Sequence, residues 1–500
     1  MSSLKKLFGD TAIYGLSSVL GRFLNWALFP LYVAVLKPEE YGIVTQLYAY
    51  VAVLLVILTY GMETSFFRFA ADKENRSNSF STSFIALSAS TFLFLVILWF
   101  TRTQSASYLG GKTLPSYVFI MALIVGLDVI SSIPFSYLRL ENKAKIFAAY
   151  KLINIAINIV ANLFFLLLCP YLIRNMNIEW LDDIYLHDNK EMYIFISNLL
   201  ASAVTLVMLF PYIRKHPMVF DKQLLRKMLN YGIPIMFVGL MGMLGLQSDK
   251  LLLPKLIGED SNALRVLGIY GANTKIAVLL TMFTQAFRYA FEPFFFSRGK
   301  DADRGIYADT LNFFVLAGLI AFLGILLYQE QIKLIIPREY WEGLEILPFI
   351  LLGNLFLGVY YVLSVWYKLT DMTKYGAFIS VLGVISIIVL NFALVPNIGM
   401  IGSAMAMMFG YGLMCIISYV LGQKYFYVDY RINKALIYLI SSLLIYTLSL
   451  FVRQHIHSEM GFFVVNTLLF SLFFALIYYM EKDSIRLAYK QMISKRKANT

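Results

Sequence analysis

Apolar segments of about 20 residues recur from one end of this sequence to the other, separated by short polar stretches. A hydrocarbon core of roughly 30 Å is crossed by an α-helix of about 20 mostly apolar residues. The pattern therefore predicts an all-α polytopic membrane protein with about fourteen transmembrane helices. We place the spans near residues 11–36, 41–70, 80–101, 116–138, 147–173, 192–213, 231–257, 267–297, 306–328, 344–367, 375–396, 400–423, 435–452 and 461–480.

The composition agrees with a chain whose main solvent is lipid. Of its 500 residues, 59% are apolar and 14% are charged, whereas soluble domains carry about 25% charged residues. Cys169 and Cys415 both fall inside apolar spans, so they indicate neither a disulfide framework nor redox chemistry. The pair His455 and His457 lacks the further ligands that a metal site needs. We expect no metal and no cofactor.

The distribution of basic residues predicts the orientation in the membrane. With the N-terminus in the cytoplasm, most of the 42 Lys and Arg residues flank the spans on the cytoplasmic side. An odd number of helices would reverse the later loops and remove this bias. We therefore expect both termini in the cytoplasm. The net charge of +12 follows from this topology, and nucleic-acid binding is disfavoured because the basic residues are dispersed over many loops.

The main internal boundary is predicted at 217–230, where apolar and basic residues alternate with helical spacing. Such a segment is typical of an amphipathic helix on the cytoplasmic membrane surface. It separates a six-helix lobe at 1–216 from a second six-helix lobe at 231–425. Helices 13 and 14 follow at 426–480, and a basic cytoplasmic tail occupies 481–500.

The two predicted lobes resemble each other weakly. Gly42 opens the second span as Gly268 opens the eighth, each between a large residue and an isoleucine. Glu63 and Glu292 each stand before an aromatic cluster towards the other end of the same two helices. Because each lobe has six helices, both run in the same sense through the membrane. The predicted repeat is therefore parallel, with a pseudo-twofold axis along the membrane normal.

A few ionisable residues fall inside the spans, where a charge costs about 2.5 to 3.5 kcal/mol on insertion scales and normally faces a bundle interior or a watery cavity. Arg22 lies about eleven residues into the first span, too deep to reach the surface easily, so it needs an anionic partner or ligand. Asn25 and Trp26 share its helical face. Lys275 is the clearest cation of the second lobe. The predicted substrate-binding residues are Arg22, Asn25, Trp26, Lys275 and Arg288.

The acidic residues have a structural and a functional interpretation. Arg288 is four residues before Glu292, so mutual neutralisation explains this pair as well as substrate binding does. Glu63 is expected to pair with Arg68. Asp128 has no basic neighbour one helical turn away, so it either meets a cation across the bundle or is protonated. We assign four residues to ion coupling or to structural pairs: Glu63, Asp128, Asp249 and Glu292.

Two phrases carry a family resemblance, KPEEYG at 37–42 and AFRYAFEPFFF at 286–296. Together with a six-plus-six-plus-two arrangement of helices, the chain resembles the bacterial polysaccharide exporters. These are the O-antigen and capsule repeat-unit flippases of the multidrug/oligosaccharidyl-lipid/polysaccharide exporter superfamily. The likeness extends over essentially the whole chain.

The resemblance implies two six-helix lobes around a cavity that opens alternately to each face of the bacterial plasma (inner) membrane. The implied cargo is an undecaprenyl-diphosphate-linked oligosaccharide of O-antigen, capsule or exopolysaccharide. Arg22, Lys275 and Arg288 would meet its diphosphate, whereas Asn25 and Trp26 would meet its sugars. Further implied partners are the lipid bilayer, H⁺ or Na⁺ as a coupling ion, and glycan-assembly enzymes.

Two other functions remain as alternatives. A multidrug or cation antiporter of the same superfamily would need a mainly acidic cavity, which the cations at Arg22 and Lys275 disfavour. A membrane glycan polymerase or ligase would need a sizeable outer loop, but the largest one, at 174–191, has fewer than twenty residues. We therefore expect a transporter rather than an enzyme.

Overall fold

The computed structural model describes residues 20, 21, 23–258, 262–298, 304–456 and 458–498. These residues form helices joined by short connections, and they contain no strand. Twelve helices in this part of the chain are long and apolar enough to cross a membrane. The all-α polytopic class is confirmed, whereas the total of fourteen spans stays a prediction.

Helices α1 to α9 form what we call the first half. Their bounds are α1 (Phe23–Val35), α2 (Pro38–Thr59), α3 (Met62–Phe69), α4 (Arg76–Leu109), α5 (Pro115–Leu140), α6 (Ala144–Leu163), α7 (Cys169–Met176), α8 (Glu179–Ile184) and α9 (Glu191–Ile213). A π-helical turn at Phe164–Leu168 joins α6 to α7.

Helices α10 to α16 form the second half, and α17 and α18 follow. Their bounds are α10 (Lys222–Ile257), α11 (Asn262–Arg298), α12 (Gly305–Leu327), α13 (Gln329–Ile332), α14 (Leu347–Leu363), α15 (Val365–Leu369), α16 (Thr373–Tyr425), α17 (Ile432–His455) and α18 (Glu459–Ala498). A 3₁₀ segment at Arg338–Ile346 precedes α14.

The 53-residue α16 is broken near its middle. Ile398 and Gly399 leave the helical region, and Gly399 has a φ of +55°, which glycine adopts without a Cβ penalty. Pro396, two residues earlier, lacks a backbone N–H and disturbs the preceding turn. The break falls where one predicted span ends at 396 and the next begins at 400.

Two other predicted segments are arranged differently. The span predicted at 41–70 is divided into α2 and α3 by Gly61, whose φ is +71°. Residues 222–230 do not form a separate surface helix but are the first turns of the 36-residue α10. Asp221 caps this helix, since its carboxylate accepts the backbone N–H of Gln223 at 2.8 Å. The amphipathic pattern was therefore helical, but it continues directly into the following span.

The two halves touch where α2 crosses α11. A Cβ placed on Gly42 would collide with the carbonyl oxygen of Leu264, and one placed on Gly268 would collide with that of Pro38. The backbones can approach this closely only because both positions are glycine. We call this zone the Gly268 end of the bundle.

The halves touch again at the opposite end of α2. Gly61 lies against Gly232, where an added Cβ would collide with the Gly232 carbonyl oxygen. Ser65 Oγ donates to the carbonyl oxygen of Met228 at 2.8 Å. We call this zone the Gly61 end. The α2–α3 pair is thus fixed to the second half at both of its ends, with the middle of α2 between them.

The connection between α9 and α10 is held on α4. Ser81 Oγ donates to the carbonyl oxygen of Pro217, and Ser77 Oγ lies 3.0 Å from His216 Nδ1. The His216 imidazole stacks on Phe80 with ring centroids 4.1 Å apart. This link between the halves is therefore packed against the first half rather than free.

We predict that Gly268→Ala destabilises the protein, because the new methyl group must push α2 and α11 apart. Overpacking of this kind costs about 1 to 3 kcal/mol. Gly242→Ala is the matched control, since nothing lies within 4 Å of the added Cβ. Thermal unfolding in detergent should show a lower Tm for Gly268→Ala only. Equal Tm values for the two variants would contradict the close crossing.

We also predict a pH-dependent contribution from His216. Burial lowers the pKa of this imidazole from its usual 6.5 and Lys215 acts in the same direction, whereas Glu141 opposes the shift. A depressed folded-state pKa gives stability that is present above pH 6.5 and lost as the pH falls towards the folded value. In thermal unfolding scans, His216→Phe should flatten the fall in Tm below that pH. The exposed His187→Phe should keep the wild-type fall; an unchanged slope in His216→Phe would refute the assignment.

Candidate functional site

A polar cavity of about 350 Å³ lies between the two halves, beside the N-terminal half of α2. Small-molecule sites commonly have volumes of about 300 to 1,000 Å³. We call it the central cavity. Its described lining residues come from both halves: Asn25, Leu28, Phe29, Tyr32, Tyr41, Val44, Thr45, Tyr48, Ala49, Asn154, Asn158, Asn198, Gln247, Lys250, Gly271, Thr274 and Lys275.

The wall from the second half is cationic. Lys275 on α11 lines the cavity, and its side chain is exposed to the open space there. Among the described residues, no carboxylate lies within ion-pair distance of Lys275 Nζ. The charged group that interacts electrostatically with Lys275 is Lys250, which is also positive. Lys250 Nζ is paired with Asp249 at 3.1 Å. The described lining therefore leaves one positive charge, that of Lys275, without a compensating anion.

Asp249 is fixed in its pairing position. Besides Lys250, its carboxylate accepts the Tyr270 hydroxyl of α11 at 2.9 Å. Only about 4% of the Asp249 side chain is exposed. Its charge is therefore directed at Lys250 and away from the open cavity.

The wall from the first half is uncharged over the residues that the structure describes. Asn154 and Asn158 lie one turn apart on α6, and Asn198 faces the same space from α9. The hydroxyl of Tyr48 and the amide of Asn25 belong to the same wall. This side of the cavity offers hydrogen-bonding groups but no described charge.

A second polar cavity, of about 270 Å³, lies within the first half. Its charged lining residues are Glu63, Asp128, Arg139 and Lys151. Ser202 Oγ donates to Asp128 Oδ1 at 2.9 Å, and Ser136 Oγ donates to Glu63 at 3.5 Å. Asn154 lines both cavities. We call this the first-half cavity; two carboxylates and two cations balance each other in it.

The structure brings several predicted residues together. Asn25 and Lys275 both line the central cavity. Trp26 Nε1 donates to the backbone carbonyl of Lys275 at 2.8 Å, which joins α1 to α11. Arg22 lies outside the described residues. A cation without a described partner therefore lies in the hollow between the halves.

Arg288 has a different setting. Its Nε lies 3.5 Å from Glu292, and its guanidinium lies 5.0 Å from the ring centroid of Tyr361. Glu292 also accepts Lys368 Nζ at 2.7 Å. Arg288 does not line the central cavity, and mutual neutralisation with Glu292 is the arrangement that forms.

The acidic residues of the first half also differ in part from expectation. The expected pair of Glu63 with Arg68 does not form, because Arg68 lies over the ring of Tyr231 at 4.2 Å. Instead Glu63 shares its cavity with Arg139 and Lys151. For Asp128 the structure supplies the cation across the bundle: Lys151, from the neighbouring α6.

Sequence reasoning missed the polar residues of the fifth and sixth spans. Lys151 lies only a few residues inside its span and was treated as part of the charged flank. Asn154 and Asn158 carried a usable signal, because two amides one turn apart in an apolar helix share a face and need polar surroundings. Asn198 stands alone in its span, and no sequence pattern connects it to the other two.

An apolar groove of about 410 Å³ lies between α2, α4 and α5. Leu47, Phe94 and Leu98 are typical of its lining, and no charged residue belongs to its described part. A charged group would find no ionic partner there. The central cavity is therefore the candidate site.

Comparison with known families gives one match by sequence. The model of the family described as "Polysaccharide biosynthesis protein" matches residues 7–297, which is more than half of the chain. No curated protein sequence matches the chain.

Solved structures show the same fold at low identity. The lipid II flippase MurJ, in an inward closed conformation, gives a TM-score of 0.71 at 14% identity over 94% of this chain and 99% of that one. An outward-facing multidrug resistance MATE family transporter of the MOP superfamily gives 0.53 at 14% identity, over 83% and 94%. A MOP superfamily transporter from Pyrococcus furiosus gives 0.52 at 13% identity, over 83% and 95%.

Proposed function

This chain belongs to the family of polysaccharide biosynthesis proteins, and on that basis we propose that it flips an undecaprenyl-diphosphate-linked oligosaccharide across the bacterial plasma membrane. The cargo is the repeat unit of an O-antigen, capsule or exopolysaccharide, and it moves from the inner to the outer leaflet by alternating access. The observation that carries this proposal is the Lys275 ammonium in the central cavity, which has no compensating carboxylate among the described residues.

The charge of the central cavity fits a diphosphate. A cation held in a poorly hydrated space attracts an anion far more strongly than in water. Lys250 lies on the same wall and is proposed to rotate towards a phosphate. Its present partner, Asp249, would then still accept the hydrogen bond from the Tyr270 hydroxyl. Arg22 is proposed to bind the same headgroup, since Asn25, three residues later in the sequence, lines the cavity.

The position between the halves fits alternating access. The Gly268 end borders the cavity, whose lining residues on α2 run from Tyr41 to Ala49, and the Gly61 end lies further along the α2–α3 pair. Opening one zone while the other stays closed would expose the cavity to one face at a time. A flippase of the same fold, MurJ, supports this class of mechanism for a lipid cargo.

A cation antiporter is the second candidate, because multidrug MATE transporters share the fold. A cavity for cationic drugs requires carboxylates, but the described lining of the central cavity contains two lysines and no acidic side chain. We therefore favour an anionic cargo. We also propose that the protein acts as a transporter without catalysis, with both termini in the cytoplasm beside the glycan-assembly enzymes that supply its cargo.

We assign ion coupling to the first-half cavity. Asp128 faces Lys151 there without a direct ion pair among the described contacts, and it accepts a hydrogen bond from Ser202. A proton or Na⁺ at Asp128 would replace the electrostatic role of Lys151. Asn154 lines both cavities, so ion binding at Asp128 would take place next to the proposed cargo site.

We predict that Lys275→Ala slows flipping of a fluorescent undecaprenyl-diphosphate oligosaccharide in proteoliposomes by more than about tenfold, because a charge-assisted contact is lost. Adding Arg22→Ala should abolish flipping. Arg265→Ala is the matched control, since Arg265 lies on the same helix but pairs with Glu342 outside the cavity lining. Wild-type flipping by the Arg22→Ala, Lys275→Ala double variant, with Tm unchanged, would refute the headgroup site.

We predict that Asp128→Asn removes the pH or Na⁺ dependence of flipping. The amide is isosteric and still accepts from Ser202, so the first-half cavity should keep its shape. Glu191→Gln is the matched control, because this buried carboxylate binds Tyr117 and lines neither cavity. Flipping rates measured across pH and Na⁺ gradients test the assignment. Normal ion dependence in Asp128→Asn would exclude this residue from coupling.

A further inference from the structure

The two walls of the central cavity differ in chemistry as well as in origin. Both charged residues of its described lining, Lys250 and Lys275, come from the second half. The first half contributes four asparagines: Asn25 on α1, and Asn154, Asn158 and Asn198 on α6 and α9. We call the three residues on α6 and α9 the amide wall. A cargo with a charged part and an uncharged polar part would therefore bind in one orientation.

Each amide of this wall is held by one hydrogen bond to a neighbour. Asn154 Nδ2 donates to Thr205 Oγ1 at 2.9 Å, and Asn198 Nδ2 donates to the Tyr48 hydroxyl at 2.9 Å. Asn158 Oδ1 accepts Asn162 Nδ2 at 2.6 Å. The orientation of all three side chains is thus fixed before any ligand arrives.

The opposite end of each amide is available. Three atoms have no hydrogen-bond partner among the described residues: Asn154 Oδ1, Asn198 Oδ1 and Asn158 Nδ2. None of the three belongs to the buried atoms that lack a partner, so each is accessible. Asn162 Oδ1, one turn further along α6, is buried and unpaired. The free ends of the amide wall therefore reach the open cavity, with two acceptors and one donor.

This arrangement exceeds what helix packing requires. The hydrogen bond from Asn154 joins α6 to α9, and the one from Asn198 joins α9 to α2. A serine or threonine hydroxyl could join these helices equally well, but it would leave no second polar group facing the cavity. Preoriented donors and acceptors suit the hydroxyl and acetamido groups of a sugar, because little rotamer entropy remains to be lost on binding.

The wall also disfavours an acidic sugar. Its described residues include no cation, and the four charged residues of the neighbouring first-half cavity, Glu63, Asp128, Arg139 and Lys151, already balance each other. A uronate placed there would lose hydration without gaining an ionic partner.

We propose that the amide wall recognises the sugar attached to the diphosphate, and that this sugar is uncharged and rich in hydroxyl or acetamido groups. The inference rests on the proposed function. The diphosphate lies on the second-half wall with Lys275, and the sugar lies against α6 and α9.

Binding of three lipid probes to the full chain in nanodiscs tests this orientation. The probes are undecaprenyl diphosphate, the same lipid carrying N-acetylglucosamine, and the same lipid carrying glucuronic acid. The wild type should bind the N-acetylglucosamine probe more tightly than the sugar-free lipid, and the glucuronate probe no more tightly. The Asn158→Ala, Asn198→Ala variant should lose about tenfold in affinity for the N-acetylglucosamine probe, with unchanged affinity for the sugar-free lipid.

Two control variants distinguish loss of sugar binding from loss of headgroup binding and from non-specific effects. Lys275→Gln should weaken all three probes alike, whereas Asn397→Ala, an exposed amide outside the cavity, should change none. If the double variant does not fold, the single variant Asn158→Ser is tested instead. It should also lose affinity for the N-acetylglucosamine probe and keep its affinity for the sugar-free lipid. Equal losses for sugar-bearing and sugar-free lipids, or no loss, would overturn the amide-wall proposal while leaving the headgroup site intact. A wild type that binds none of the probes would overturn the proposed function itself.

Discussion

An ammonium group inside a membrane-spanning bundle must find an anion, water or both, and Lys275 meets this requirement through the central cavity. The other deep charges of the second half are already compensated: Asp249 holds Lys250, and Glu292 is shared by Arg288 and Lys368. Pairing removes most of the cost of a charge in a low-dielectric interior. Lys275 has no such partner among the described residues, so its environment must stay polar. The polar lining of the cavity and the anionic cargo that we propose both rest on that constraint.

The cavity exists because the halves meet closely at two separated zones. Gly42 and Gly268 occupy corresponding positions in the two predicted lobes, and the structure places them against each other. Small residues let helix backbones approach in a membrane, where no hydrophobic effect drives helices together. At the other zone Gly61 and Gly232 meet in the same way. The cavity lies beside the N-terminal half of α2, where Thr45 and Tyr48 of α2 and Thr274 of α11 line it.

The two halves contribute different chemistry to a common fold. Among the described residues, the second half supplies an uncompensated cation, whereas the first half supplies preoriented amides and a neighbouring, balanced cluster of carboxylates and cations. Asn154 belongs to both spaces. A change in the charge state of the Asp128 cluster and a change in cargo contact would therefore act on the same side chain. Such a shared element is the physical basis that coupling between two sites requires.

The sequence by itself determined the fold class, most of the helix positions, the break near 396–400 and the presence of deep charges. These features depend on apolar length and on local backbone preferences, which a sequence displays directly. Asn25 and Lys275, which line the central cavity, stood out because a polar residue in an apolar span is conspicuous, and their role in binding stays a prediction. Only the tertiary structure decided which charges are compensated. Lys151 and Asp128 line one cavity from neighbouring helices, and Asn198 lines the other with Asn158 from a third helix, so no spacing along the chain reveals that they share these spaces. Charge balance and cavity shape depend on distances between helices, and those distances arise only when the whole bundle packs.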